Sequence, residues 1–532
     1  MADASVPQSQ PLPGMVPNSA GGYSYQVSDM QRLRRFLCLG SEGGTYYIGE
    51  KKLGKENAQA ILRLISNGKG AEVVKEIVEF SVEGRAAKQN PIIFALALCA
   101  RDGNLEVKKA AYTALSKVCR IPTHLFTFVE FCEALSLGTG WGRCHREAIK
   151  SWYLTKDPKH LAMAVTKYKQ RNGWSHLDLL RLSHVKADDP LLQSVFKYVV
   201  KGIDVATQEF MGKSEKGDEI LAFLRAVDSV LSADEGAAVG LIKQYNLVRE
   251  HLPTQLLNSK PVWLALLEKM PMTAMIRNLG KMTSIGVLDP LSEAAIEVCK
   301  RLRDQPALQK ARIHPFNVLL ALKTYEAGKG DKGKLTWQPN QAIVSALDDC
   351  FYASFKYVEP TGKRFLLAVD VSGSMSCSVS GSSISCACAA AAMTMVTMKT
   401  EQNYHVLGFS AHLVPIGINS KMRLDDVMTT IRKINMGGTD CAQPMLWAKK
   451  NKVPVDVFIV YTDCETWAGA VHPSEALKQY REAMGINAKL IVCAMSSNGF
   501  TLADPNDSGM LDMAGFDSAA PLVVKNFVLG LI

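Results

Sequence analysis

The chain has 532 residues, of which 47% are hydrophobic and 21% charged, and its formal net charge is +10. That length predicts two or more domains with ample core, and the composition is ordinary for a soluble globular protein. No apolar run approaches the roughly 18 residues of a membrane span, and no basic-then-apolar signal pattern opens the chain. Thirteen scattered cysteines without a Cys-x-x-Cys pair argue against a zinc site or a disulfide framework and for a reducing cytosol. The charge is unevenly spread. From Thr361 onward 14 basic residues balance 14 acidic ones, whereas the first 360 residues hold 47 basic against 37 acidic, the whole excess.

Residues 1–25, rich in Pro, Gln, Ser and Gly, are expected to form a flexible tail. From Val27 to about Val358 the pattern is helical almost throughout. Ala58-Gln-Ala-Ile-Leu-Arg-Leu-Ile and Glu72-Val-Val-Lys-Glu-Ile-Val carry apolar residues at helical spacing. Asn90-Pro91, Asn104 and Ile121-Pro122 read as helix starts, and further starts fall near Asp188, Lys216, Asp234, Ser259, Pro290, Pro315 and Gln338. Helices joined by short polar turns suggest HEAT-like pairs, about eight of them at roughly 40 residues per pair. No strict repeated motif is present, so an irregular all-helical domain stays open. A stacked array would offer a long concave surface, better suited to an extended macromolecule than to a metabolite.

Trp141 to Lys186 is the most basic segment. Ten Lys and Arg face only Glu147, Asp157 and Asp178, and four of the ten histidines lie here with Trp141, Trp152, Tyr153, Tyr168 and Trp174. Basic side chains neutralise phosphates, while Trp, Tyr and His stack on unpaired bases, so nucleic acid is the expected ligand. The plainer alternative is a solvated helical face over an aromatic core. The candidates are Arg143, His145, Arg146, Lys150, Lys167, Lys169, Arg171 and His184. Lys167 and Arg171 are four apart, which on one helix would place them on the same face. With no helix-turn-helix, finger or basic zipper evident, folded RNA is preferred over duplex DNA.

After Thr361 the grammar changes. Phe365-Leu-Leu-Ala-Val-Asp370 reads as a buried parallel strand, and Val371-Ser372-Gly-Ser374 as the turn at its carboxyl end, where open α/β sheets bind ligands. Ala387 to Val396 reads as a returning helix. Gly437-Gly438-Thr439-Asp440 opens another, and Val457-Phe-Ile-Val-Tyr-Thr-Asp463 is a second buried strand ending in an acid. Asp370, Ser372, Ser374, Thr439 and Asp463 are all hard oxygen donors, and Mg²⁺ takes about six such oxygens, some from water. The pattern Asp-x-Ser-x-Ser…Thr…Asp resembles the metal-ion-dependent adhesion site of a von Willebrand factor A domain. That resemblance implies direct contact of Ser372, Ser374 and Thr439 with Mg²⁺ or Mn²⁺, contact of Asp370 and Asp463 through water, and a ligand carboxylate completing the shell. No nucleophile–base pair is evident, and nothing ties His472 to either serine. Binding is therefore favoured over catalysis.

Four stretches carry a wider resemblance: Trp141-Gly-Arg-Cys-His-Arg-Glu-Ala-Ile, Thr166-Lys-Tyr-Lys-Gln-Arg-Asn-Gly-Trp-Ser-His176, Arg312-Ile-His-Pro-Phe316 and Gly362-Lys-Arg-Phe-Leu-Leu-Ala-Val-Asp-Val-Ser. From about residue 25 to its end the chain resembles the Ro ribonucleoprotein autoantigen family. The resemblance implies a HEAT-like ring, the TROVE domain, over 26–360, closed by a Rossmann-like von Willebrand A domain over 361–532. It implies a non-enzymatic monomer in a cytoplasmic, also nuclear, ribonucleoprotein. Y RNAs would bind the outer surface at Lys167, Arg171 and His184. Misfolded non-coding RNAs such as 5S rRNA precursors would enter a central hole by their single-stranded 3′ ends, in a quality-control role. The run Ser376 to Cys388 is looser than the family pattern and bears on where the first A-domain helix starts. The rival reading is a divalent-metal-dependent protein-binding adaptor on a helical scaffold. A metal-dependent phosphoesterase is disfavoured, since no base or second metal cluster accompanies the five ligands.

Overall fold

Amphipathic helices closed by side-chain caps build the first two thirds of the chain in the computed structural model, which describes residues 5–136, 138, 140–330, 333–434 and 437–532. Asn104, Ser214, Asp234, Ser259 and Ser292 each accept a backbone N–H of the helix they open. Asn90 instead lies inside its helix, one residue past the cap. Neighbouring helices stack in sequence: Asn90–Asp102 lies between Leu105–Val118 and Pro122–Ala134. The array then meets its own beginning. Arg312 Nε donates to Val82 O (2.7 Å), Asn317 Nδ2 to Ala87 O (3.0 Å), and His314 Nε2 lies 3.1 Å from Arg85 O.

The remainder is a six-stranded sheet wrapped by helices. Its strands are β5 (Arg364–Asp370), β6 (Asn403–Phe409), β7 (Leu413–Val414), β8 (Val457–Thr462), β9 (Lys489–Ala494) and β11 (Met510–Ala514), in the order β11-β9-β8-β5-β6-β7. All pairings are parallel except the edge β6–β7. The strands are apolar on both faces because both are covered. Leu367, Val369 and Ile459 join the core beneath the helix Cys386–Thr400, while Leu366, Ala368 and Phe458 pack beneath Gln443–Lys450 and Pro473–Met484. Sheet order reverses between β5 and β8, which puts the ends of those two strands at the topological switch point.

Residues 1–4 of the expected flexible tail lie outside the described residues, and from residue 5 onward it is ordered. Strands β1 (Met15–Pro17) and β2 (Tyr23–Gln26) form a hairpin, and β2 pairs with β10 (Phe500–Thr501) of the sheet domain. Gln8 is fully buried, and its Nε2 donates to Asp440 Oδ1 and Val471 O, each at 2.7 Å. Asn18 Nδ2 donates to Thr466 O (2.8 Å) and Ser24 Oγ to Cys464 O (3.0 Å). Composition suggested disorder because these residues bury little apolar surface. Hydrogen bonds to partners more than 400 residues away hold them instead. One further pairing lies within the helical part, β3 (Gln170–Arg171) with β4 (Trp174–Ser175).

The first helix, Asp29–Leu39, docks on β11 through Arg35, whose side chain is 1% exposed, as is that of its ion-pair partner Asp512. Breaking a buried pair from one side strands a charge, so Arg35→Met is expected to lower stability by about 3–5 kcal/mol in chemical denaturation. The double change Arg35→Met/Asp512→Leu should recover most of that loss. Equal destabilisation by single and double variants would show that the pair is not what holds this seam.

Candidate metal centre and nucleic-acid interface

The carboxyl ends of β5 and β8 bring four of the five proposed metal ligands together. Asp370 is fully buried, with Oδ1 accepting Ser372 N (2.8 Å) and Oδ2 accepting the Thr462 hydroxyl (2.6 Å). Ser372 Oγ lies 3.2 Å from Ser374 Oγ, and Ser374 hydrogen-bonds in turn to Asp463. Thr439 joins the same edge through its loop: Gly373 N donates to Gly437 O (2.9 Å), while Thr439 O accepts Trp467 N (3.0 Å) and Ala468 N (2.9 Å). A Cβ at Gly438 would lie 2.9 Å from the Trp467 ring, which would have to shift. Thr439 does not itself open a helix. The helix begins at Gln443, and Asp440 caps its approach by accepting Ala442 N. The first helix of the sheet domain starts at Cys386, capped by Ser385, after two short 3₁₀ turns across 373–381.

Burial, then the charges of Asp370 and Glu465, hold the Asp463 carboxyl well above the usual range, and burial raises Asp370 as well. Glu465, which belongs to no ligand motif, is fully buried, accepts Asn498 Nδ2 (3.1 Å) and is pushed up to about 7 by burial. Among the described residues no group of three or more His, Cys, Asp or Glu side chains is placed to hold a metal. The set here is of another kind, three hydroxyls and two carboxyls. Buried acids without a counter-cation beside neutral oxygens fit a hard divalent ion such as Mg²⁺ or Mn²⁺. His472 is committed elsewhere, its Nε2 lying 2.7 Å from Gln10 O. The ligand hydroxyls are 0–2% exposed. Over them lies a loop of the helical part, where Tyr47 meets Ser374 and is pushed up to about 12 by burial and by Asp463 and Glu465. Nothing in the periodicity of 41–49 marks that contact.

The basic segment is partly surface and partly core. Arg143, Lys169, Arg171 and His184 are exposed, while Arg146, Lys150 and Lys167 are half-buried, with Lys150 paired to Glu147 at 2.8 Å. His145 corrects the expectation: it is 1% exposed, stacked on Phe128, edge-on to Trp141, and 3.3 Å from Tyr112 Oη. Burial depresses it to about 3, so it is a neutral core residue rather than an RNA contact. Trp152 and Tyr153 are likewise fully buried. Lys167 and Arg171 do not share a helix. The helix Pro158–Lys167 ends at Lys167, and Arg171 stands on β3. Asn172 and Gly173, at φ 53° and 79°, form a two-residue turn into β4. Asn-Gly between extended pairs is the sequence signal that would have found this hairpin. His184 closes the next helix in left-handed backbone, at φ 53° and ψ 39°.

Comparison with known proteins agrees with this architecture. Residues 16–324 match the TROVE domain and residues 364–528 the Ro60 vWA domain. The chain is 42% identical to "RNA-binding protein RO60" of Caenorhabditis elegans, covering 98% of this chain and 91% of that one. It is 40% identical to the protein of the same name from Deinococcus radiodurans, covering 97% and 95%. The crystal structure of the D. radiodurans RO (RSR) protein superimposes with a TM-score of 0.69 at 38% identity, over 95% of this chain and all of that one.

Two outcomes test the metal centre. Calorimetric titration should show Mg²⁺ or Mn²⁺ binding in the micromolar-to-millimolar range, lost in a folded Asp370→Ala variant; equal binding by both would remove the site. The acids also set a pH dependence. A carboxyl raised from 4.5 to about 7 keeps a proton in the folded state that the unfolded chain has released, so stability falls as pH rises through that window. In chelator, the melting temperature should fall across it, and Glu465→Gln should flatten the slope.

Proposed function

Because this chain belongs to the Ro60 family of RNA-binding proteins, we propose that it is a non-enzymatic RNA-binding protein of a small cytoplasmic ribonucleoprotein, present also in the nucleus. It takes Y RNAs on the outer surface of the helical array. The single-stranded 3′ ends of misfolded non-coding RNAs, 5S rRNA precursors among them, enter the array's centre for quality control. What carries the reading is a surface group made by a helix end, a hairpin and a helix cap: half-buried Lys167 with exposed Lys169, Arg171 and His184. His176, buried between them, fixes the pieces, its Nε2 lying 3.0 Å from Tyr168 O and its Nδ1 2.8 Å from Tyr153 Oη. Arg143, Arg146 and Lys150 extend the patch along the preceding helix. Lys and Arg there neutralise phosphates, and His184 stacks on or hydrogen-bonds to a base.

The sheet domain, holding Mg²⁺ or Mn²⁺, serves in this reading to close the array and not to bind RNA. A protein ligand's carboxylate remains the partner that chemistry would add at the metal, but it would have to displace the loop carrying Tyr47. The adaptor reading therefore has less support than RNA binding.

Replacing Lys167 and Arg171 by Ala should weaken binding to every structured RNA and lower the salt slope by about one unit for each phosphate no longer neutralised. His184→Ser should weaken binding with little change of slope, and a folded Asp370→Ala protein should keep its RNA affinity. Full affinity of both surface variants at moderate salt, measured by filter binding across a salt series, would reduce the patch to a solvated face.

A further inference from the structure

Beside the cationic patch the helical array is hollowed into a half-open cavity of about 290 Å³. Its floor is apolar: Ile242, Leu247, Leu266 and Met270 are all buried, and Met163 forms a wall. Its rim is basic, made by Lys167, Lys243, Arg249 and Lys269, with Glu250 and Glu268 as the acids. Two of those cations are engaged. Lys243 pairs with Glu268 at 2.8 Å, and Lys269 Nζ donates to Asn246 Oδ1 at 2.6 Å. Lys167, whose Nζ lies 5.0 Å from the centre of the Tyr168 ring, and Arg249 have no carboxylate partner among the described residues. His251, its Nε2 3.1 Å from Thr166 Oγ1, fastens the turn carrying Arg249 to the helix end carrying Lys167. Both cations are thus held at one mouth.

We propose that this cavity is a binding pocket for one unpaired nucleotide of a bound RNA, an assignment that rests on the RNA-binding reading above. Its volume lies at the lower limit for small-molecule sites and so suits a single base rather than a stacked pair. An apolar floor with a methionine wall receives a flat polarisable ring, and Lys167 and Arg249, neither paired to a carboxylate, meet the flanking phosphates. Two amides supply the edge contacts. Asn278 donates Nδ2 to Ala274 O (2.7 Å), leaving its carbonyl oxygen to accept, while Asn246 uses its Oδ1 on Lys269 and keeps its N–H groups. A splayed-out base presents donors and acceptors on that edge, and a paired base does not. The pocket therefore selects single-stranded or bulged nucleotides, which the neighbouring phosphate-reading patch does not.

Filling the floor tests this. Ala274→Phe, from a half-buried lining position, should weaken binding of a single-stranded oligoribonucleotide about tenfold, in line with the removal of one stacked base. The affinity for a blunt, fully paired hairpin RNA and the salt slope should stay unchanged, because no charge is removed. In a measurement independent of how the variant folds, wild-type protein irradiated with a 4-thiouridine-substituted oligoribonucleotide should crosslink within residues 163–167, 242–250 or 265–278. Undiminished oligonucleotide affinity in folded Ala274→Phe, or crosslinks only outside those stretches, overturns the pocket. A wild-type protein that binds neither the hairpin nor the oligonucleotide overturns the RNA reading itself, a result distinguishable from failure of the pocket alone.

Discussion

One guanidinium ties the two ends of this chain together. Arg35, on the first helix, donates Nε to Asp512 Oδ2 (3.1 Å) and Nη1 to Asn498 Oδ1 (3.1 Å) and Phe500 O (2.7 Å), with Nη2 on Asp512 Oδ1, all away from solvent. A buried ion pair is poor evidence of net stability, because desolvation offsets the attraction, but it is stringent about geometry. Only when the helical array has come round to the sheet edge are the guanidinium's donors satisfied. The same helix sends Arg32 Nε to Asn57 Oδ1 (2.8 Å), and Asn57 Nδ2 reaches Ser497 Oγ (3.1 Å). The first helical pair and the loop after β9 are thus one polar seam.

That seam explains why the amino-terminal segment is ordered. Residues 5–26 cross the loops that follow β8, and Gln8 contacts Asp440, Val471 and Thr466 at once. The sheet domain is therefore discontinuous in sequence: its own β10 is the edge to which β2 adds. A boundary at residue 361 leaves residues 5–26 outside this unit, because backbone pairing across several hundred residues leaves no local mark.

Legibility followed the range of the forces involved. Short-range signals read true: the buried strands ending in Asp370 and before Asp463, the caps at Asn104, Asp234 and Ser259, and the helical character from 27 to 358. Where the fold depended on long-range contact, reading from sequence stopped short. His145 looked like a ligand because histidine beside Arg143 and Arg146 suggests RNA, yet helical phase turns it inward onto Phe128 and Tyr112. Arg171 looks helical by its four-residue spacing from Lys167, yet the helix stops at Lys167 and the left-handed Asn172-Gly173 turn reverses the chain beyond it. Tyr47 and Glu465 could not be read as neighbours of the candidate metal site, since one comes from another domain and the other has no place in the ligand pattern.

The distribution of charge separates the two candidate sites by chemistry. The sheet domain is neutral, and the acids at its switch point are buried to 0–1% exposure beneath Tyr47 and the amino-terminal hairpin. A phosphate could not reach Ser372 or Ser374 without displacing the loop that carries Tyr47. All of the +10 excess lies instead on the helical array, where Arg143, Lys169, Arg171 and His184 reach solvent. An adhesion domain working on external ligands would need its hydroxyls open. Here Tyr47 of the chain's own first loops meets Ser374 at the strand ends, while the exposed cations lie on the helical array.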